Sequence, residues 1–490
     1  MPFIIFNIIA IGRGFMFCKS RALTRRIATC ILAGSILTTL SGCGKSEDME
    51  TKTTETQIAV AQDIDDYENT EADTDKEVVE ESTTETTENE PIEEIPSLRD
   101  RVFETAGCDI GAAVTESELQ DPEVWNIITT HFSRVTFGNE LKPDALFNYS
   151  VGKVPGTTTD EVDGITLEVP VLDYSRAEGM LDKFLEWNEA NPDRPIKIRG
   201  HVLVWHSQTP EWFFHKNYNK KEDYVSKEEM TLREEWYIKT VLTHFTGEDS
   251  KYKDLFYGWD VVNEAVSDSG GKIRTDAENS EALSEDRHGS NSSWYHIYQS
   301  DEYIINAFRF ANKYAPAELE LYYNDYNECD TVKRNGIVSL LNSIKAEEGE
   351  PGIGTRIDAM GMQGHYGMDN PSIAAIQNSI ETYAEVVGNV QLTEMDIQAS
   401  NDYDGSPESQ EAEYEKLRKR YNTIYFAMKA ANESPDVNLT GFTFWGTVDK
   451  YSWLQNRSDV GGGSKSAKKQ CPLLFDDNYE PKSCFWVFAE

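Results

Sequence analysis

The sequence predicts an α/β fold, a (β/α)8 barrel of the TIM type, preceded by an export signal and a disordered acidic tether. Two observations lead to this fold: eight short apolar runs recur between residues 98 and 490, and helical patterns lie between most of them. Strands alternating with helices in this number fit a closed parallel barrel with enlarged loops. A doubly wound sheet is the alternative, but no glycine-rich phosphate loop follows the first run.

The first element along the chain is a signal segment over residues 1–43. Basic residues between 19 and 26 precede an apolar run from 27 to 40, and translation starting at Met16 would explain the odd apolar stretch before them. The apolar run is too short to cross a bilayer, which needs about 20 residues. It ends in LSGC at 40–43, which resembles the lipobox of bacterial lipoproteins. We therefore expect an exported chain that a lipid on Cys43 anchors to the cell envelope.

The second element, residues 44–97, is rich in Thr, Glu and Asp. Residues 44–96 contain 19 acidic residues and 3 lysines, a net charge of −16, with almost no apolar periodicity. Such a segment repels itself and buries too little apolar surface to fold, so we expect a disordered linker. An acidic activation segment is the alternative, and it fits poorly behind an export signal.

The third element, residues 98–490, contains the eight predicted strands. They span Asp109–Val114, Arg134–Glu140, Ile196–His206, Tyr257–Ala265, Leu319–Asn327, Ile357–Tyr366, Val390–Ile397 and Leu439–Asp449. One intervening helix covers residues 232–245, where apolar side chains recur at helical spacing. Active sites of such barrels lie at the C-terminal ends of the strands, so polar residues there are the candidates for chemistry.

The net negative charge of the chain limits the kinds of molecule that it can bind. The chain has 46 Lys and Arg residues against 86 Asp and Glu residues, a formal net charge of −40. This charge repels phosphate backbones, so we expect no nucleic-acid partner. The aromatic content of 11% suits flat neutral ligand faces.

Two of the predicted strands carry carboxylates at their C-terminal ends. The fourth strand contains WDVVNEA at 259–265, and the seventh contains LTEMD at 392–396. Glu264 and Glu394 therefore face each other across one barrel mouth, with Asn263 beside the first and Asp396 beyond the second. Paired carboxylates suit glycosidic bond cleavage, because one protonates the leaving oxygen and the other acts at the anomeric carbon. For either glutamate alone, a structural salt bridge is the alternative.

These two motifs resemble the acid/base and nucleophile signatures of glycoside hydrolase family 10, the retaining endo-β-1,4-xylanases. The resemblance extends over nearly all of residues 98–490. Further similar segments are FGNELKP (137–143), GHVLVWHSQ (200–208), YNDYN (323–327), GMQGH (361–365), FWGTVDKYSW (444–453) and PLLFD (472–476). The resemblance implies a barrel enzyme that hydrolyses xylan with retention and needs no cofactor.

The resemblance also implies a role for each matching residue. Glu264 would be the acid/base and Glu394 the nucleophile, while Asn263 would hydrogen-bond the sugar 2-hydroxyl. His365 and Asp396 would orient Glu394 and stabilise its charge. The remaining implied contacts are Gln363 beside the acid/base, Lys142, His201 and Trp205 at the cleavage subsite, Asn139 and Gln208 one subsite outward, and Trp445 and Trp453 as indole caps.

One position departs from the family pattern. Gly138 stands where the family usually has Glu before the Asn of the second strand. That carboxylate normally binds the sugar one subsite beyond the cleavage point, so its loss should weaken or broaden recognition there and leave the chemistry intact. Neighbouring Glu140 lies higher at the rim and is no simple replacement, so its role stays open.

Other candidate sites are weaker. His201 and His206 lie five residues apart with no third ligand nearby, so we expect no metal site. Cys471 and Cys484 are close enough in sequence to form a disulfide, and their pairing is left open. We expect a monomer whose partners are xylan or xylo-oligosaccharides and, through the lipid, a membrane.

Three alternative functions stay open. Two of them are binding functions, a non-catalytic surface glycan-binding protein and a solute-binding lipoprotein, and neither would need both carboxylates. The solute-binding lipoprotein would also need two lobes, whereas the strand count favours a barrel. A related barrel that acts on β-1,4-glucan is the nearest alternative among enzymes.

Overall fold

A computed structural model describes residues 95–150, 152–279, 290–456 and 469–490 of the chain. The predicted signal segment, Cys43 and the predicted linker up to residue 94 lie outside these ranges. No helix in the described ranges is long and apolar enough to cross a membrane. Ser97 precedes the first helix, and its Oγ donates to the carbonyl of Thr130 at 2.9 Å.

Eight parallel strands close into a barrel. In chain order the strands are β1 Asp109–Val114, β2 Arg134–Phe137, β3 Thr157–Val162, β4 Ile165–Pro170, β5 Lys197–Trp205, β6 Phe256–Asn263, β7 Glu320–Asp325, β8 Ala359–Met362, β9 His365–Gly367, β10 Asn389–Gln398 and β11 Asn438–Phe444. Barrel neighbours follow the order β1-β2-β5-β6-β7-β8-β10-β11, and β11 returns to pair with β1. Strand β9 extends the edge of β10, and β3 and β4 form a separate antiparallel hairpin. The (β/α)8 barrel predicted from the sequence is therefore confirmed.

Helices surround the barrel and connect its strands. They are α1 Leu98–Ala106, α2 Glu116–Leu119, α3 Pro122–His131, α4 Pro143–Leu146, α5 Ser175–Ala190, α6 Lys227–Thr246, α7 Ser293–Tyr298, α8 Glu302–Tyr314, α9 Thr331–Ala346, α10 Ile373–Val387, α11 Pro407–Asn432 and α12 Trp486–Ala489. Several begin at side-chain caps: Asp121 accepts from the nitrogen of Glu123, and Ser226 from that of Glu229. The helix predicted over residues 232–245 lies inside α6.

The β3–β4 hairpin was not predicted. Its turn consists of Asp163 and Gly164, both with positive φ, at 48° and 82°. Most of its side chains are partly or fully exposed, so the sequence lacks the apolar alternation that reveals a half-buried strand. The hairpin packs on α6, where Trp236 Nε1 donates to Asp160 Oδ2 at 3.1 Å.

The barrel interior combines apolar packing with a buried polar layer below the C-terminal mouth. A Cβ atom at Gly200 would lie 2.1 Å from the buried Trp259 ring, so only glycine lets β5 pass this indole. Arg199 and Asp260 are fully buried and form an ion pair at 3.3 Å between β5 and β6. Arg199 also donates to the carbonyl of Thr393 on β10 at 3.0 Å, which links opposite walls of the barrel directly below the mouth.

Candidate active site

A cleft of about 920 Å³ opens at the C-terminal ends of the barrel strands. The twelve residues predicted to act on or bind sugar all line it: Asn139, Lys142, His201, Trp205, Gln208, Asn263, Glu264, Gln363, His365, Glu394, Trp445 and Trp453. Asp396, predicted to support Glu394, lies behind His365 and contacts that ring. The structure therefore brings all thirteen residues to one place.

Glu264 comes directly after β6 and is half-buried. Its backbone has a φ of 56°, in the left-handed region, and its nitrogen donates to the carbonyl of Asn324 at 2.9 Å. Trp205 Nε1 donates to Oε2 at 3.0 Å, and Gln363 Nε2 donates to Oε1 at 2.9 Å. A non-glycine residue in this conformation costs about 1 kcal/mol or more, and such strain concentrates at functional sites.

Glu394 lies in β10 and is 4% exposed. Asn324 Nδ2 donates to its Oε1 at 2.7 Å, and His365 Nε2 lies 3.3 Å from its Oε2. Burial raises the pKa of Glu394, but the hydrogen bond from His365 and the charges of His201, His365 and Arg199 outweigh it and lower the pKa to about 2. The carboxylate is therefore ionised at any ordinary pH.

His365 connects Glu394 to a second carboxylate. Its Nδ1 lies 2.9 Å from Asp396 Oδ1, and Trp453 Nε1 donates to Asp396 Oδ2 at 2.7 Å. Burial opposes a charge on His365, but Asp396 and then Glu394 more than compensate and raise the pKa of the imidazole to about 10. A positively charged ring therefore lies between two negative carboxylates.

Three amide side chains, those of Gln363, Asn263 and Asn324, bridge the carboxylates across the mouth. Asn263 Oδ1 accepts from Asn324 Nδ2 at 2.9 Å and from Gln363 Nε2 at 3.3 Å, so the hydrogen bonds run without a break from Glu264 to Glu394. Asn263 Nδ2 is buried and has no hydrogen-bond partner among the described residues. This donor is available to a ligand hydroxyl. Asn324 had no predicted role, although it lies in the quoted YNDYN segment at the end of β7.

The wall formed by β2 and β5 carries two basic side chains of the cleft, His201 and Lys142. His201 Nδ1 lies 2.8 Å from Asp260 Oδ2, and Lys142 Nζ donates to Gln208 Oε1 at 3.1 Å. Burial lowers the pKa of Lys142, against the attraction of Glu394 and other carboxylates. The sequence predicted no role for Asp260. Period-two alternation nevertheless places Asp260 on the same face of the predicted strand as Val262 and Glu264, below the mouth.

Two indoles and two imidazoles pack together over the cleft. The Trp445 ring lies 5.4 Å from that of His201 and 6.3 Å from that of His365, and the Trp453 ring lies 4.9 Å from His365. The Trp205 ring, at the end of β5, lies 5.2 Å from the Lys142 ammonium on the same wall. These rings give the cleft the flat apolar surfaces that suit sugar rings.

Gly138 leaves room at the cleft wall. A Cβ atom there would meet Thr115 Cγ2 at 3.3 Å and otherwise only the Val114 carbonyl at 3.9 Å. Glu140 does not fill this space, because its carboxylate accepts from the backbone nitrogens of Glu116 at 2.8 Å and Asn139 at 3.2 Å. Glu140 thus ties the β1 and β2 loops together, which answers the question that the sequence left open.

No metal site or disulfide is found in the described ranges. The four cysteines there are free and buried, including Cys471 and Cys484. No group of three or more His, Cys, Asp or Glu side chains in these ranges could hold a metal ion. His201 and His206 both line the cleft without a third ligand beside them.

Comparisons with known proteins identify the family. Residues 97–490 match the profile of Glycosyl hydrolase family 10. The chain is 32% identical over 377 residues to the bifunctional endo-1,4-beta-xylanase XylA of Ruminococcus flavefaciens, covering 77% of this chain and 32% of that protein. It is 32% identical over 396 residues to endo-1,4-beta-xylanase B of Paenibacillus barcinonensis, covering 80% and 97%. The chain spans about a third of the length of some relatives, and nearly all of others.

Solved structures of xylanases from the same family resemble this chain. The CBM22-1-GH10 modules of Xyn10B from Clostridium thermocellum, complexed with xylohexaose, superpose with a TM-score of 0.62 and 28% identity, covering 80% of this chain and 67% of that one. Xylanase XynB from Paenibacillus barcinonensis, complexed with a conduramine derivative, gives a TM-score of 0.61 and 29% identity, covering 81% and 99%. Barrel, cleft and sequence together lead to one conclusion: the chain belongs to glycosyl hydrolase family 10.

Proposed function

We propose that this chain is a retaining endo-1,4-β-xylanase, with Glu394 as the nucleophile and Glu264 as the acid/base. The observation that carries the proposal is the contrast between the two carboxylates in one cleft. Glu394 is buried and kept ionised by neighbouring cations. Glu264 is half-buried at a strand end, and the side chains that donate to it, Trp205 and Gln363, are neutral. The named xylanases to which the chain is similar support the same reaction.

The reaction mechanism follows from the surroundings of the two carboxyl groups. A carboxylate of Glu394 attacks the anomeric carbon while protonated Glu264 gives its proton to the departing sugar oxygen. Glu264, now ionised, removes a proton from water, whose oxygen displaces Glu394 from the anomeric carbon. Two inversions retain the β configuration, and retention needs carboxyl groups about 5–5.5 Å apart.

The sugar contacts follow the same geometry. The unpartnered Asn263 Nδ2 is suited to donate to the 2-hydroxyl beside Glu394, a bond that strengthens as positive charge develops on the ring. Lys142, His201 and Trp205 form the cleavage subsite. The further contacts are Asn139 and Gln208 one subsite outward, Gln363 at the acid/base, and Trp445 and Trp453 as caps.

Chemical rescue tests the two roles. With an aryl xylobioside whose leaving group needs no acid, Glu264→Ala should release one rapid equivalent of aryl alcohol and then stall. Azide should restore turnover and give a β-glycosyl azide. Glu394→Ala should give no burst on any substrate. The matched control is Glu415→Ala, which removes an exposed α11 glutamate paired with Arg418 and should behave as the wild type. An α-glycosyl azide from Glu264→Ala would reverse the assignment.

Substrate choice needs its own test. The purified enzyme is incubated separately with glucuronoxylan, arabinoxylan and carboxymethylcellulose, and new reducing ends are measured. Activity on either xylan that exceeds activity on the cellulose derivative supports the proposal. Faster release from carboxymethylcellulose would identify a β-1,4-glucanase instead.

We also propose that the enzyme works as a monomer on the cell surface, held by a lipid on Cys43 and spaced from the envelope by residues 44–97. The lipobox-like LSGC sequence and the net charge of −16 after it support this proposal. Cys43→Ala should release the catalytic domain from the membrane fraction or leave it with an uncleaved signal. Unchanged processing and membrane attachment would refute the anchor.

A further inference from the structure

Tyr451 is an exposed aromatic ring at the rim of the cleft. Its side chain is 40% exposed, and it is the one large, exposed apolar residue of the described ranges that lines the cleft. It lies in a short 3-10 helix, Asp449–Tyr451, that follows β11. The ring therefore presents part of its flat apolar face to the cleft, where a ligand ring could stack on it.

The ring is held in place from several directions. The Tyr451 hydroxyl donates to Asp121 Oδ2 at 2.9 Å. Asp121 Oδ2 also accepts a hydrogen bond from the Tyr479 hydroxyl. The Lys450 ammonium lies 4.9 Å from the Tyr451 ring centroid and 3.8 Å from that of Tyr479. Lys450 Nζ also bonds the Tyr479 hydroxyl at 2.6 Å. The ring is therefore orientated before any ligand arrives, which lowers the entropic cost of binding.

The bond to Asp121 and the strand order show on which side of the cleft the ring lies. The loops after β11 and β1 carry Tyr451 and Asp121, and β1 is the neighbour of β2, whose end carries Asn139. The proposed second subsite lies at Asn139 and Gln208, and the bond to Asp121 holds Tyr451 at the exposed rim on the β1 side of the cleft, next to β2. Tyr326 and Asn327, at the end of β7, line the opposite half of the cleft.

We propose that Tyr451 is the platform of a third subsite on the non-reducing side of the cleavage point, where it stacks against the flat face of a neutral xylosyl ring. This proposal rests on the proposed function. A third subsite fits the open space at Gly138. An enzyme that lacks one polar contact to the sugar at the second subsite can recover affinity through an apolar contact with the next sugar.

The test compares aryl β-xylobioside, which ends at the second subsite, with aryl β-xylotrioside, which reaches the third. In the wild type, kcat/KM should be higher for the trioside. Tyr451→Ala should lower the trioside-to-bioside ratio about fivefold, the effect expected for one lost apolar sugar contact. Tyr451→Phe keeps the ring and loses only the bond to Asp121, so its ratio should lie between the two.

Phe426→Ala is the matched control, because it removes a 68% exposed aromatic residue on α11 that does not line the cleft, and its ratio should equal that of the wild type. If the wild type fails to hydrolyse the bioside, the proposed function is wrong. If the bioside is hydrolysed but Tyr451→Ala and Tyr451→Phe both keep the wild-type ratio, the third subsite is wrong. Should Tyr451→Ala not fold, Asp121→Asn, which loosens the ring, must lower the ratio for the proposal to stand.

Discussion

Removing the charge of His365 should make catalysis sensitive to acid. His365 Nε2 lies 3.3 Å from Glu394 Oε2 and supplies both a hydrogen bond and a charge that lower the pKa of Glu394. The fall of this pKa from its ordinary 4.5 to about 2 corresponds to about 3 kcal/mol in favour of the ionised carboxylate. His201 and Arg199 share this stabilisation, so we assign His365 about half of it, roughly tenfold in an equilibrium constant.

The sign follows from the burial of Glu394. Once His365 is gone, burial again favours the protonated carboxyl, and its pKa should rise by about one unit or more. The pKa of His365 itself is about 10, so the wild type keeps this cation between pH 3 and 8. In His365→Ala, kcat/KM should therefore fall as pH drops toward 3, over a range in which Glu394 of the wild type stays largely ionised.

The assay is kcat/KM for an aryl xylobioside between pH 3 and 8, since an activated leaving group removes the need for the acid. His365→Gln keeps a donor near Glu394 and loses the charge, so its profile should lie between those of the wild type and His365→Ala. The matched control is His244→Gln, a histidine paired with Glu178 on the outside of the barrel at 3.0 Å. If the acid limb of His365→Ala coincides with that of the wild type, His365 does not keep Glu394 ionised.

Three further predictions concern specificity, stability and the N-terminal segment. Gly138→Glu needs a shift of a few tenths of an ångström by the Thr115 methyl, and it should lower KM for unbranched xylo-oligosaccharides about tenfold at constant kcat, as measured by steady-state kinetics. Burial raises the pKa of Glu118 from 4.5 to about 7, so its contribution to stability is present below pH 4.5 and is lost as pH rises through 7. Calorimetry should therefore find the Tm of Glu118→Gln, relative to the wild type, higher at pH 8 than at pH 5. Deleting residues 45–94 should leave the Tm and the turnover of soluble substrate unchanged, and a fall of several degrees would mean that the segment packs on the barrel.

The strands could be predicted because each carries its own apolar signal. All eight barrel strands lie where the apolar runs placed them, and β1 matches to the residue. The β3–β4 hairpin has no such signal, because its faces are largely exposed and its order comes from contacts with α6. The Asp163-Gly164 pair was its one local marker, since Asp-Gly is typical of tight hairpin turns.

Residues of the site could be predicted only where they belong to a local sequence motif. Glu264 directly after β6 and Glu394 within β10 stand out in their motifs, and the residues placed around them by resemblance all reach the cleft or its immediate support. Asn324 and Asp260 were missed because their importance depends on partners 61 and 59 residues away, Asn263 and His201. A sequence gives the register of one strand, whereas these contacts depend on the register between strands.

The ionised state of Glu394 illustrates this limit. The groups that lower its pKa come from β5, which carries Arg199 and His201, and from β9, which carries His365. Arg199 is held by Asp260 on β6 and by the Thr393 carbonyl next to Glu394, so its charge acts at Glu394 only when the barrel is closed. Because no single segment contains all of these groups, the reactivity of this carboxylate belongs to the closed barrel, and a lesion far along the chain that loosens closure should raise its pKa before it unfolds the protein.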